Sequence, residues 1–343
     1  MATALVYDPI YLEHDTGSHP ENSGRLISAM EAIERSGLQT TLKMLSPEAA
    51  TVEEIATVHN DGYIEHVRWV AERGGGFLDP DTYASPRSYE AATMAAGGAK
   101  LAMESVLTGE VNCAFALVRP PGHHALPARG MGFCIFNNIA IATRLAQSRH
   151  DIDRILIVDF DVHHGNGTQL TFWKDPRVLY FSVHQSPFYP GSGGLTEVGE
   201  DAGRGCTINV PLPGGVGDAG YLRTFAEVLE PAARRFRPEM IAVSAGFDVH
   251  WSDPIGGMQV TVTGLALMAE RLKNLASELC EGRLFFTLEG GYNLEAQAQS
   301  VVAMLQVLEG RSYTDKIGPP RWPRSEPDIN AILDRARDIH GLE

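Results

Sequence analysis

Residues 154–167 read Arg154-Ile155-Leu156-Ile157-Val158-Asp159-Phe160-Asp161-Val162-His163-His164-Gly165-Asn166-Gly167. A short aliphatic run rich in β-branched residues breaks into a polar, glycine-containing loop. This is the pattern of a buried parallel strand that ends in a site loop. Open α/β sheets bind ligands at the carboxyl ends of their strands. Two carboxylates and two imidazoles there offer oxygen and nitrogen ligands to a Zn²⁺-like ion. On alternating positions of an extended segment, Asp159, Asp161 and His163 point to one side, and Phe160, Val162 and His164 to the other. Asp161 and His163 can then grip one metal together.

Three other segments end in the same way. A strand-like run at 113–118 leads into Arg119-Pro120-Pro121-Gly122-His123-His124, where prolines and glycine stiffen the loop. Runs at 240–244 and 284–288 lead into Ala245-Gly246-Phe247-Asp248 and Glu289-Gly290-Gly291-Tyr292-Asn293. Singly, each polar residue has a plain reading: a core histidine, a capping aspartate, a packing tyrosine. Their joint occurrence at one sheet edge points to a site. Zinc catalysis needs three protein ligands and an open position. Asp161, His163 and Asp248 supply an oxygen–nitrogen–oxygen set, which leaves His123 and His124 as acid/base groups. Tyr292 can donate its hydroxyl to a developing oxyanion. Together these groups describe metal-assisted amide hydrolysis.

The rest of the chain alternates strand-like and helix-like runs. Helical spacing over Leu26, Ile27, Met30 and Ile33 stops at Gly37, and further helices are predicted at 88–107, 138–148, 219–236, 262–280 and 294–309. Another strand is predicted at 178–183. This rhythm implies a three-layer αβα fold with a mainly parallel central sheet. No repeat or linker divides the 343 residues, so one catalytic domain is expected over 1–343. A C-terminal segment, 312–343, holds the proline-rich turn Gly318-Pro319-Pro320-Arg321-Trp322-Pro323, which introduces a predicted helix at 326–339 that packs on the surface or on another subunit.

A hydrophobic content of 44% suffices for a large core, and a net charge of −15 argues against nucleic acid as a partner. The start, Met1-Ala2-Thr3-Ala4-Leu5, carries no basic region or apolar core and is not read as a signal peptide; no stretch has the length of a membrane span. Cys113, Cys134, Cys206 and Cys280 form no CxxC pair, so a reducing cytoplasm is expected.

The ordered motifs Arg119-Pro120-Pro121-Gly122-His123-His124-Ala125, Gly132-Phe133-Cys134, Asp159 to Gln169, Gly246-Phe247-Asp248 and Glu289-Gly290-Gly291-Tyr292 resemble the histone deacetylase superfamily, from about His19 to about residue 310. Its bacterial members include histone-deacetylase-like amidohydrolases and acetylpolyamine amidohydrolases. The resemblance implies the arginase-like fold and one catalytic Zn²⁺ on Asp161, His163 and Asp248. His124 corresponds to the general base and then acid, and His123 to its electrostatic neighbour. Asp159 and Asn166 correspond to the groups that hydrogen-bond the two histidines; Asn166 is the class II-like choice where class I members usually carry Asp. An amide there leaves His124 less basic than a carboxylate would.

The resemblance further implies a structural K⁺ at Asp159, Asp161, His163, Ser182 and Val183, and a second monovalent-ion site near Phe172, Asp175 and Val178. Phe133 and Tyr189 match aromatic walls around the acyl-lysine chain, with Tyr189 a departure from the common Phe. Gly132 and Gly290 fall in the same substrate-binding motifs. Arg25 matches a buried arginine beside the acetate exit path. Asp81, or alternatively Asp79, matches the rim residue that bonds the substrate backbone. The implied substrates are acylated lysine in a peptide or protein, or a small N-acyl amine, and a homo-oligomer, dimer or tetramer, is expected.

Three rival readings compete. An acetylpolyamine amidohydrolase would run the same chemistry on a smaller cation, but Ile255 stands where one polyamine-selective branch has Glu. An arginase-like ureohydrolase would need more bridging carboxylates for two metals than the His163-His164-Gly165-Asn166 loop provides. A silent acyl-lysine reader would be suggested by loss of Tyr292 or a metal ligand, and all are present.

Overall fold

The structure, a computed structural model, describes residues 2–322 and 324–342. Ten strands form among the described residues: β1 (Thr3–Val6), β2 (Lys43–Leu45), β3 (Gly76–Asp79), β4 (Thr82–Ala84), β5 (Cys113–Ala116), β6 (Ile155–Asp159), β7 (Val178–Gln185), β8 (Thr207–Leu212), β9 (Met240–Ala245) and β10 (Leu284–Leu288). Eight make one sheet in the order β2-β1-β5-β10-β9-β6-β7-β8. Every neighbouring pair in it is parallel. β3 and β4 form a separate antiparallel hairpin.

The four strands whose loops carry the candidate site residues, β5, β10, β9 and β6, are the adjacent central four. All their residues are buried, because helices cover both faces, and this explains their unbroken aliphatic sequences. Their carboxyl ends open side by side on one edge of the sheet. The margins differ: β2 exposes Lys43 and Met44, and β8 contains Pro211. Proline lacks the N–H that a ladder requires and is tolerated on an edge strand such as β8.

The main helices follow the expected ranges closely: Ser88–Leu107, Asn138–Arg149, Val262–Leu279 and Leu294–Leu308. The first, Gly24–Ser36, ends where Gly37 takes a left-handed φ of 73°.

Three boundaries are corrected. The strand expected at 113–118 stops at Ala116, although Leu117 N–H still reaches Val6 O at 2.9 Å. The helix expected at 219–236 is Asp218–Thr224 and Glu230–Phe236 joined by a π-helical turn, Phe225–Leu229. Pro231 explains the insertion: its ring would clash with the carbonyl four residues back, and a wider turn moves that carbonyl aside. The C-terminal helix begins at Asn330, not 326. Residue 326 precedes a proline, which disfavours helix. The Glu326 carboxylate instead accepts the Ala219 and Gly220 N–H groups at 3.2 and 2.8 Å, at the start of the Asp218 helix. The C-terminal helix packs beside β8. Of the proline-rich stretch, Pro323 lies outside the described residues, as do Met1 and Glu343.

Candidate active site

The chain leaves β6 at Asp159 and bends through Asp161 to His163. The Asp161 carboxylate caps this bend, taking the His163 N–H at 2.9 Å on Oδ1, while its Oδ2 takes the Gly290 N–H at 2.8 Å. Asp248, beyond β9, holds the Val162 N–H on Oδ1 at 2.9 Å. These bonds aim the other atoms at one point. His163 Nδ1 lies 3.1 Å from Asp161 Oδ1 and 3.3 Å from Asp248 Oδ2. Gly290 sits against both acids: a Cβ there would come within 2.2 Å of Asp248 Oδ2 and 2.6 Å of Asp161 Oδ2.

The donor set fits a divalent cation. Asp248 Oδ2 is buried and accepts no hydrogen bond. Burial and the charge of Asp161 push the Asp248 carboxyl up to about 7. Burial opposes a charge on His163, yet the two carboxylates outweigh it and raise the imidazole to about 9. An unpartnered buried carboxylate oxygen beside a second acid and an imidazole, with ligand atoms within 4.8 Å of one another, is a set that a divalent cation would satisfy. A second trio, His123, Cys134 and Glu289, also brings ligand atoms within 4.8 Å of one another. It does not read as a metal centre. The Glu289 carboxylate already accepts the Gly122 and His123 N–H groups and the Ser244 hydroxyl, at 2.7, 3.1 and 3.0 Å.

Those same bonds hold the loop after β5, where the His123 and His124 rings lie 4.0 Å apart. His123 Nδ1 bonds Asp159 Oδ2 at 3.0 Å, and His124 Nδ1 bonds Asn166 Oδ1 at 2.8 Å. Burial works against a charged His123, but Asp159 and Asp161 raise it to about 10. Burial and the neighbouring His123 and His163 push His124 well below its ordinary value. Side by side, one imidazole is held cationic and the other neutral, the division needed for a base beside an electrostatic partner. His164 points elsewhere, to Ser192 Oγ and Gln169 Oε1 at 2.8 and 2.9 Å.

Tyr292 follows Gly291, whose φ is +119°. Its ring is fixed by Phe133, edge-on at 5.8 Å, and by the Arg25 guanidinium 5.1 Å from the ring centroid. Arg25 is fully buried; Nε donates to Gly291 O at 2.7 Å, and Nη2 donates to Glu289 O. Its Nη1 pairs with Glu21 at 3.1 Å, and Glu21 also binds Arg119.

Phe133 stands at the tip of a tight turn. Met131 and Cys134 exchange backbone hydrogen bonds at 3.1 and 3.0 Å, and Gly132 and Phe133 have φ of +56° and +70°. Two successive left-handed residues mark a type I′ turn, and a left-handed phenylalanine is strained backbone. Asp81 braces the turn through the Gly132 N–H at 3.3 Å, whereas Asp79 faces Arg129 at 4.0 Å. Tyr189 meets the His124 ring edge-on at 5.2 Å and remains 37% exposed. A cavity of about 580 Å³, lined by His19, Phe77, Asp81, Tyr83 and Phe133, flanks this wall. Ile255 is half-buried on the turn after Asp248. Ser182 pairs with Asp159 across β7 and β6, and Val183 follows it. At the second ion position, the Asp175 carboxylate is already bound by Arg144 and Arg177.

Sequence reasoning missed several residues that shape the site. Phe188 stacks on His163 at 5.1 Å, and its aromatic neighbour Tyr189 was the only available signal. Glu289 belongs to a motif in the sequence, but nothing there marks it as the anchor of the histidine loop. Asp253 and Met131 carried no local signal at all.

Comparison with known proteins bears on the family and the fold. The histone deacetylase domain family matches residues 19–308. The chain is 40% identical to histone deacetylase 14, chloroplastic, of Arabidopsis thaliana, covering 96% of this chain and 83% of that protein. It is 37% identical to the histone deacetylase-like amidohydrolase of Pseudomonas aeruginosa, over 90% and 86% of the two chains. The crystal structure of the HDA15 HD domain superposes with a TM-score of 0.89 at 36% identity, covering 99% of this chain and 93% of that one.

Proposed function

We propose that this chain, which belongs to the histone deacetylase family and is a hydrolase of that kind, removes acetyl or other short acyl groups from lysine side chains or related N-acyl amines. The observation that carries the reading is the convergence of Asp161, His163 and Asp248 beside a pair of oppositely tuned histidines. The three residues would hold one Zn²⁺. When bound, such an ion supplies Lewis-acid polarisation of the acyl carbonyl and makes water more acidic.

The chain's own groups do the rest. His124 is neutral, and with its Nδ1 proton engaged by Asn166, its Nε2 takes a proton from the attacking water and returns it to the leaving amine. His123, cationic against Asp159, stabilises negative charge as it develops. The Tyr292 hydroxyl donates to the carbonyl oxygen as it becomes an oxyanion. Phe133 and Tyr189 flank the alkyl chain and keep water from it. A structural K⁺ belongs to the same proposal, held by oxygens of Asp159, Asp161, His163, Ser182 and Val183, as does a homo-oligomeric state. The cysteines are free, which suits a reducing cytoplasm.

N-acetylated polyamines are the second substrate class, favoured by the net charge of −15 and by Asp81 beside the Phe133 wall. Turnover of a fluorogenic acetyl-lysine amide, measured with and without a chelator and in parallel with N-acetylated polyamines, tests the reading. No chelator-sensitive release from either class would refute it.

A further inference from the structure

Asn166 raises a problem that a carboxylate would not. An aspartate at this position offers two equivalent oxygens to His124, but an amide has an oxygen at one end and an NH₂ at the other. With Oδ1 toward His124, Nδ1 of the ring carries the proton and Nε2 keeps the lone pair that a base requires. Turned over, the NH₂ would donate to Nδ1, force the proton onto Nε2, and leave no basic atom facing the reaction. Something must therefore hold the amide one way round.

The structure assigns this task to Met131: its thioether sets the orientation of the Asn166 amide and so the tautomer of His124. Asn166 Nδ2 donates to Met131 Sδ at 3.4 Å, while Asn166 Oδ1 faces His124 Nδ1 at 2.8 Å. Thioether sulfur accepts hydrogen bonds and cannot donate, so it suits the NH₂ end and repels the oxygen end. Its position is fixed twice. The backbone bonds with Cys134 pin the Met131 main chain, and Arg129 Nη2 donates to the same sulfur at 3.2 Å. Met131 is only 7% exposed, so water does not readily replace it as an acceptor. Met131 is not among the candidate metal ligands and acts through Asn166, so it is a positioning residue. Its importance follows from Asn166: with a carboxylate in that place there would be no orientation to choose.

The inference rests on the deacetylase reading, and its test separates the two. Met131→Leu removes the acceptor at similar volume, while Met131→Gln restores one through its amide oxygen. In metal-loaded enzyme, Met131→Leu should lower kcat about three- to tenfold, the scale of one modest hydrogen bond. KM and metal content should stay unchanged, and Met131→Gln should recover most of the loss. In an Asn166→Asp background, Met131→Leu should change kcat less than about twofold, because the orientation no longer matters. Nitrogen-15 shifts of the His124 ring report the tautomer directly and need no substrate. Wild type should show a protonated Nδ1 and a bare Nε2, and Met131→Leu a mixture of the two tautomers. Equal kcat losses in both backgrounds, or an unchanged tautomer in Met131→Leu, would overturn the assignment. If no acyl amide is turned over at all, the ring shifts still decide the role of Met131.

Discussion

The buried Asp253 carboxylate accepts the backbone N–H of Tyr292 at 2.7 Å. The same oxygen takes the Asn293 N–H at 3.1 Å, and the other oxygen takes those of Ile255 and Gly256 at 2.9 and 3.3 Å. One side chain thus ties the turn after Asp248 to the loop that presents the phenol. Asp253→Ala should let Tyr292 drift, and a misplacement near 1 Å can reduce rate about a hundredfold. We expect a fall in kcat of about ten- to a hundredfold with metal content retained. Steady-state kinetics with elemental analysis would check it, and unchanged kcat would show that the tie is not needed.

Tyr292→Phe removes only the hydroxyl, since the ring contacts with Phe133 and Arg25 do not involve it. Fold and metal content should be preserved while kcat drops by about a hundredfold or more, as for other lost oxyanion donors. A near wild-type kcat would remove Tyr292 from the mechanism.

Metal content should divide the polar residues into two sets. Asp248→Ala and His163→Ala should bind less metal, whereas His124→Ala should keep it and lose activity. Elemental analysis after dialysis reads this directly. A metal-free His124→Ala protein alongside a fully loaded Asp248→Ala protein would reverse the assignments.

Selectivity should turn on position 255. An aliphatic residue gives the distal ammonium of a polyamine no carboxylate, while a neutral cap on a peptide can bury apolar area against it. Ile255→Glu should raise kcat/KM for N-acetylated polyamines relative to acetyl-lysine amides. A wild-type preference of about tenfold for acetylspermidine would instead indicate that Asp81 already serves as the acid; tenfold corresponds to about 1.4 kcal/mol.

Acid stability should depend on Glu21. Its burial favours the neutral acid, but Arg119 and the other cations around it prevail and hold the carboxyl near about 2, against an ordinary 4.5. A carboxyl depressed in the folded state stabilises fully above its unfolded value and loses that contribution as pH falls through the folded one. The stabilisation, on the order of 3 kcal/mol, should therefore disappear between about pH 4.5 and pH 2. Glu21→Gln should be markedly less stable at pH 7, and the gap in Tm should narrow across that interval. Calorimetry over pH tests this, and a gap independent of pH would contradict it.

Much of the site is legible in the sequence because central strands announce themselves. Ile155–Asp159 is buried on both faces, so its aliphatic run is continuous and the polar break after it conspicuous. The edges are not legible in the same way. β2 exposes two of its three residues, and β8 carries Pro211, so neither shows the pattern of a core strand. Supporting contacts are harder still. Glu21 meets Arg119 across 98 residues, and Asp253 meets Tyr292 across 39. Each looks like an ordinary surface acid until the chain brings its partner to it. The amide at Asn166 could be read as a departure from carboxylate, but the sulfur that orients it lies 35 residues away.

The position of β10 ties the continuity of the sheet to the assembly of the candidate site. It lies between β5 and β9, although it is the last strand in the chain. Before it is inserted, β2-β1-β5 and β9-β6-β7-β8 share no edge. In the sheet order, the paired histidines follow a strand on one side of β10, and Asp161, His163 and Asp248 follow strands on the other. The strand that joins them also delivers Tyr292 a few residues later. One segment therefore both bridges the two halves of the sheet and carries Tyr292 to the candidate site.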